Sequence, residues 1–200
     1  MTVQPLRAAF RRQVRDTALE VAHGLVVEHG WDGVRLGEVA RLTGVSRPTL
    51  YKEFGDRQGL GEALLLQETE RFLVGVAAVV EEHAADPALG LLRAVRFTLD
   101  EAARSPLLHA VLTSSRGDDA GLVPLLARSV PLLRRAVEVL VASLGPHLPD
   151  VAHEDLADTA ETLVRLCVSH LVQPSADAAT TSLRLARTAW RLLGLEPPAR

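Results

Sequence analysis

An all-α fold follows from three observations on this 200-residue chain. Apolar residues recur at spacings of three and four, which is one face of a helix. No segment alternates with period two between turn residues, and aromatic side chains make up only 4% of the chain, so strand signals are missing. Cap-plus-proline starts such as Asp86-Pro87 and Ser105-Pro106 punctuate the sequence. Together they predict about nine helices.

Val14, Ala18, Val21, Ala22, Leu25 and Val26 mark the first helix, with Gly30 as its left-handed cap. Leu36, Val39, Ala40 and Thr43 mark a short second helix ending at Gly44. Ser46 caps a third, with Pro48 in its first turn and Phe54-Gly55 ending it. Asp56 caps a long fourth helix reaching about Ala84. The two cap-plus-proline pairs open the fifth and sixth. Residues 116–121 read as a loop, and a seventh helix covers about 122–144, bent at Pro131, which removes an interior hydrogen bond. Residues 145–149 break the chain again. An eighth helix covers about 154–172 and a ninth about 176–193, followed by a frayed tail.

The length suits one or two domains at ~100–200 residues each. A hydrophobic share of 48% against 24% charged is a globular balance. One cysteine, Cys167, forbids an intramolecular disulfide and any cysteine-based zinc cluster. The longest apolar run, residues 72–80, is far short of a membrane span, and the first twenty residues hold no apolar stretch of a secretory signal. A soluble cytoplasmic protein with no membrane partner is expected. The net charge of −3 seems at first to disfavour nucleic acid. Its distribution reverses that: residues 1–60 carry nine basic and seven acidic side chains, while the rest carry thirteen and eighteen. A basic end on an acidic body suits a protein that meets phosphates at one end, although chance also produces so small an excess.

The informative stretch is 36–54. Two short helices meet at a tight Gly44-Val45-Ser46 turn, the size of a helix-turn-helix connection. Val39, Ala40, Val45 and Leu50 would pack between them. Arg47, Pro48, Thr49, Tyr51 and Lys52 would then face outward, a cation, hydroxyls and an apolar ring suited to a major groove. An ordinary helical hairpin with a solvated face shows the same spacing.

The residues themselves decide between the two. His29-Gly-Trp31, Val39-Ala40, Thr43-Gly-Val-Ser46, Thr49-Leu-Tyr51 and Phe54 fall in the register of the TetR family of bacterial transcriptional regulators, which the chain resembles over about 11–66. The resemblance implies a helix-turn-helix domain over 1–57 and an effector-binding and dimerisation domain over 58–200. It makes 46–54 the recognition helix: Arg47, Pro48 and Thr49 would approach bases, Tyr51 and Lys52 phosphates, with Ser46 as the cap. Arg35, Ser46 and Arg57 complete the DNA-binding set. Three departures accompany it: Arg35 stands where the family usually has a capping threonine that contacts a phosphate, Arg57 replaces a usual lysine and can likewise reach a phosphate, and Thr43 replaces an alanine.

In the remaining chain, Leu183, Ala186, Trp190 and Leu193 make one helical stripe, and Leu156, Ala160, Leu163, Val164, Cys167 and Leu171 another. Such stripes either close the protomer's own core or meet a second copy. The resemblance implies a homodimer with a four-helix interface from the last two helices of each subunit, and Trp190 is the natural anchor. The resemblance also implies an effector pocket. Its candidate lining is Phe72, Val76, Phe97, Leu108, His109, Leu112, Val130, Leu133, Leu166 and His170, mostly apolar, which points to a hydrophobic small-molecule effector; plain core is the other reading. Gly59 and Gly61 open the fourth helix either for flexibility or for close packing.

Enzymatic signals are missing: no His-Glu-x-x-His, no glycine-rich phosphate loop, and Cys167 in an apolar helix. No cofactor or metal is expected. The sequence thus points to a DNA-binding regulator on double-stranded operator DNA, a homodimeric repressor released from a palindrome by an effector. A ligand-independent DNA-binding protein or an activator on the same scaffold is the alternative.

Overall fold

The computed structural model describes residues 4–105 and 130–198. Among them are eight α-helices and no strand. They are α1 (Gln4–Gly33), α2 (Leu36–Thr43), α3 (Arg47–Phe54), α4 (Arg57–Glu82), α5 (Pro87–Arg104), α6 (Val130–Leu144), α7 (His153–Val172) and α8 (Ala178–Leu193), with a 3-10 turn at Gly145–His147 after α6. The expected sixth helix, the 116–121 loop and the start of the seventh helix lie outside the described residues. Pro131 is the second residue of α6, so a bend there also depends on residues outside that range.

Local chemistry sets the boundaries. Gly30, at φ 69° and ψ 170°, breaks α1, and a short helical turn follows to Gly33. Asp86 caps α5 by accepting from the Leu89 amide at 2.9 Å, with Pro87 in the first turn. Asp177 caps α8 by accepting from the Thr180 amide at 2.8 Å; the same bonds hold its carboxyl below the usual range.

The described residues form two compact units, one over 4–68 and one over 69–105 with 130–198. Their division falls inside α4, between Glu68 and Thr69, whereas the sequence suggests 57/58, the start of that helix. In the first unit, Ala18, Val34, Val39, Leu50, Leu60 and Leu64 are fully buried. In the second, α5 is covered by α7 and α8, which also pack on each other, and α6 packs on α7. Its core includes Leu91, Leu144, Ala186 and Ala189.

The stripes on the last two helices turn into this core. Leu156, Ala160, Leu163, Cys167, Ala186, Trp190 and Leu193 are all buried within the single chain. Trp190 is 3% exposed and donates its indole N–H to the Ala88 carbonyl of α5 at 3.0 Å. Trp190, expected as a subunit anchor, is thus buried and satisfied at its N–H within its own protomer. Of the named stripe residues, Val164, Leu171 and Leu183 keep partial exposure.

Candidate nucleic-acid interface

The α2–α3 pair is built by short-range bonds. Gly44, at φ 69°, lets α2 end in a left-handed cap: its own amide bonds back to Arg41, and the Val45 amide reaches the Ala40 carbonyl at 3.1 Å. Only Val45 at the turn keeps partial exposure, while Val39, Ala40 and Leu50 fill the space between the helices. Thr43 bonds back to the Val39 carbonyl at 2.7 Å. Ser46 then starts α3, its hydroxyl accepting from the Thr49 amide at 3.3 Å and lying 2.8 Å from the Thr49 hydroxyl. Leu50 and Phe54 anchor the inner face of α3. Arg47, Pro48, Tyr51 and Lys52 are exposed on the outer face, Tyr51 at 53%.

Long-range contacts fix this face in ways the sequence did not suggest. Glu53, only 12% exposed, accepts from Arg11 at 2.9 and 3.1 Å and from Arg15 at 3.3 Å, and the Arg15 guanidinium also lies 5.3 Å over the Phe54 ring. Two of the arginines in the basic arm therefore tie α1 to α3. Arg11 is 68% exposed, so its pair is worth at most ~1 kcal/mol. The Arg47 guanidinium lies against Gly37, where a Cβ would come within 3.0 Å of it. The bare glycine gives Arg47 its seat. No local pattern identifies Glu53 or Gly37, because their partners lie 38, 42 and 10 residues away.

The two departures at the edges of the interface both bond to the end of α1 and the turn after it. Arg35 stands at the N-cap of α2 without a side-chain cap bond, and its guanidinium donates to the Asp32 and Val34 carbonyls. Arg57 donates to the Trp31 carbonyl, faces Asp32 at 3.5 Å and stacks 4.7 Å over the Trp31 ring. Its Nε is buried without a partner. Gly59 answers one open question: a Cβ there would sit 1.9 Å from the Phe54 carbonyl oxygen, so close backbone approach, not flexibility, requires glycine.

The candidate effector residues are only partly gathered. Phe72 and Phe97 stack with ring centroids 5.9 Å apart, and the Phe97 ring lies where a side chain on Gly75 would be. Val76 and Leu166 join the same apolar cluster. Leu133 is half-buried, and His170 is half-exposed beside the Ser175 hydroxyl at 3.5 Å. Leu108, His109, Leu112 and the Val130 side chain lie outside the described residues.

A capped pair of short helices with a polar outer face, followed by a helical body, defines a helix-turn-helix DNA-binding regulator. Residues 18–64 match the family described as bacterial regulatory proteins, tetR family, and residues 86–191 match the bacterial tetracyclin repressor C-terminal domain. The chain belongs to the TetR family of transcriptional regulators. It is 29% identical to the HTH-type transcriptional regulator AlkX of Mycobacterium tuberculosis over 85% of this chain and 80% of that one. An uncharacterised HTH-type regulator of the same organism is 32% identical over 82% of this chain and 77% of its own. Among solved structures, the TetR family repressor AlkX from Dietzia sp., implicated in biodegradation of n-alkanes, superposes with a TM-score of 0.74 at 28% identity, covering 90% of this chain and 96% of that one. These relatives are regulators, not enzymes. No described helix is long and apolar enough to cross a membrane.

Proposed function

We propose that the chain is a homodimeric repressor whose α3 helices read the two halves of a palindromic operator and which a small hydrophobic molecule releases. The observation that carries this reading is the outer face of α3, where Arg47, Pro48, Tyr51 and Lys52 stand exposed on a helix start held by Ser46 and Thr49. Helix-turn-helix proteins place such a start against base edges, and two copies meet half-sites about one duplex turn apart. Residues 1–57 form the reading head and 58–200 the body that binds effector and partner. Arg35 and Arg57 serve the head by bracing α2 and α4 against the end of α1, their guanidinium groups being committed to Trp31, Asp32 and Val34.

Likeness to the AlkX repressors supports an effector with an alkyl chain, and the stacked Phe72–Phe97 pair beside Val76 and Leu166 supplies apolar surface for one. Effector and operator would then oppose each other reciprocally, with a coupling of ~1–3 kcal/mol. A gel-shift titration on the DNA upstream of the chain's own coding region tests this. A retarded palindromic fragment released by a medium-chain n-alkane, or by the alcohol or fatty acid of the same chain length, is the expected result. Retention despite all three probes would favour the ligand-independent reading. A reporter that rises with added protein would make it an activator.

A further inference from the structure

Glu53 puts a carboxylate on the recognition helix itself, next to Lys52 in the chain. Its side chain is 12% exposed and turns toward α1, where two arginines meet it. Both Arg11 bonds, at 2.9 and 3.1 Å, end on Oε2, and the Arg15 bond, at 3.3 Å, ends on Oε1. Each carboxylate oxygen thus holds one guanidinium. The two arginines depend on it unequally. Arg15 is 36% exposed and keeps a second seat, 5.3 Å over the Phe54 ring. Arg11 is 68% exposed, and among the described residues Glu53 is its one ion partner. A pair so open to water adds little stability, and an acid beside a duplex is repelled by the phosphates. Neither folding nor raw DNA affinity accounts for a carboxylate at this position.

We propose that Glu53 is a specificity-determining residue: it occupies the Arg11 guanidinium so that this cation does not grip DNA of any sequence. The inference rests on the reading of α3 as the recognition helix and deepens it. Phosphate contacts add affinity without sequence information. A regulator is limited by the ratio of operator binding to binding elsewhere, because a genome offers a vast excess of wrong sites. Arg11 stands one side chain away from the helix that enters the groove, and its exposed side chain is long enough to swing from Oε2 to a phosphate. The internal acid competes with the duplex for that cation at every encounter. On the operator the same bonds hold α3 against α1 while Arg47, Tyr51 and Lys52 engage, an alignment that binding to random sequence does not need. Glu53 therefore lowers the affinity for random DNA and supports the affinity for the operator.

Glu53→Gln tests this, because it keeps an oxygen acceptor of the same shape and removes only the charge. Anisotropy titrations compare a random duplex with the upstream fragment retarded in the gel shift. Affinity for the random duplex should rise ~3–10-fold at low salt, and its salt slope should steepen by ~1. The operator should gain less, because the loosened α3 offsets the new phosphate contact, so the ratio of the two affinities falls. Arg11→Ala alone should leave the salt slope on random DNA unchanged, since Glu53 already holds that cation. In the Arg11→Ala background, Glu53→Gln should no longer raise random-duplex affinity. A rise that persists without Arg11 overturns the proposal and makes Glu53 a simple repelling charge. Loss of operator affinity with no rise on random DNA overturns it too and leaves Glu53 a brace. A slope that falls by ~1 in Arg11→Ala alone places Arg11 on a phosphate already, with the same consequence. If the unmodified chain does not prefer the operator fragment, the recognition-helix reading fails first, and that control separates the two failures.

Discussion

The α2–α3 pair and the α7–α8 pair carry the two clearest patterns in the sequence, and the structure uses them in opposite ways. In the first pair, the residues that make the pattern are structural and functional together: Gly44 and Ser46 build the turn, and the residues between Ser46 and Lys52 supply the outer face. In the second pair, most of the conspicuous stripe closes the protomer's own core, with Trp190 bonded to α5. An apolar stripe shows that a helix is covered. It does not show by what.

Breaking the second pair should have the largest effect. Trp190→Ala empties a buried aromatic site and removes its bond to the Ala88 carbonyl, so urea unfolding should show a loss of ~3–5 kcal/mol. Dissociation of the dimer at unchanged stability would instead return Trp190 to the subunit interface. The first pair should respond in DNA affinity before stability. Arg47→Ala should cost ~1–3 kcal/mol against one base pair and little against its variants, measured on single-base operator changes. Lys52→Ala should weaken all operators alike and lower the salt slope by ~1. Equal, sequence-independent losses for both would make Arg47 a phosphate contact.

Smaller effects sharpen the contrast. Ser46→Ala removes the α3 cap and should lower thermal stability by ~1 kcal/mol, with operator affinity falling alongside. Burial pushes the Cys167 thiol up to about 12 from an ordinary 9.0. The unfolded chain then loses this proton at lower pH than the folded one, so stability is intact below about pH 9 and declines as pH rises toward 12. Urea midpoints across that range should fall for the natural chain and fall less for Cys167→Ala. A flat profile would mean that the thiol is open to water.

Legibility in the sequence followed the range of the interactions. Caps and turns close within five residues, so Gly30, Gly44, Ser46, Asp56 and Asp86 could be read directly, as the bonds to Ser46, Asp56 and Asp86 bear out. Amphipathic faces were legible as faces, but the stripe on α8 finds its cover 102 residues away at Ala88. Charged side chains were hardest to read. Arg57 sits where a phosphate contact was expected, and only the fold brings Trp31 beneath it, 26 residues back. Glu53 escapes local pattern for the same reason: an acid on a recognition helix has no evident task until Arg11 and Arg15 arrive from α1.

The chain has two tryptophans, and the fold deals one to each compact unit. Trp31 lies under a guanidinium in the first, and Trp190 bonds to a backbone carbonyl in the second. Their indoles therefore feel different local fields, and each can be silenced without touching the other. Intrinsic fluorescence can follow the DNA-reading unit and the body as separate signals during a single titration, with no dye attached.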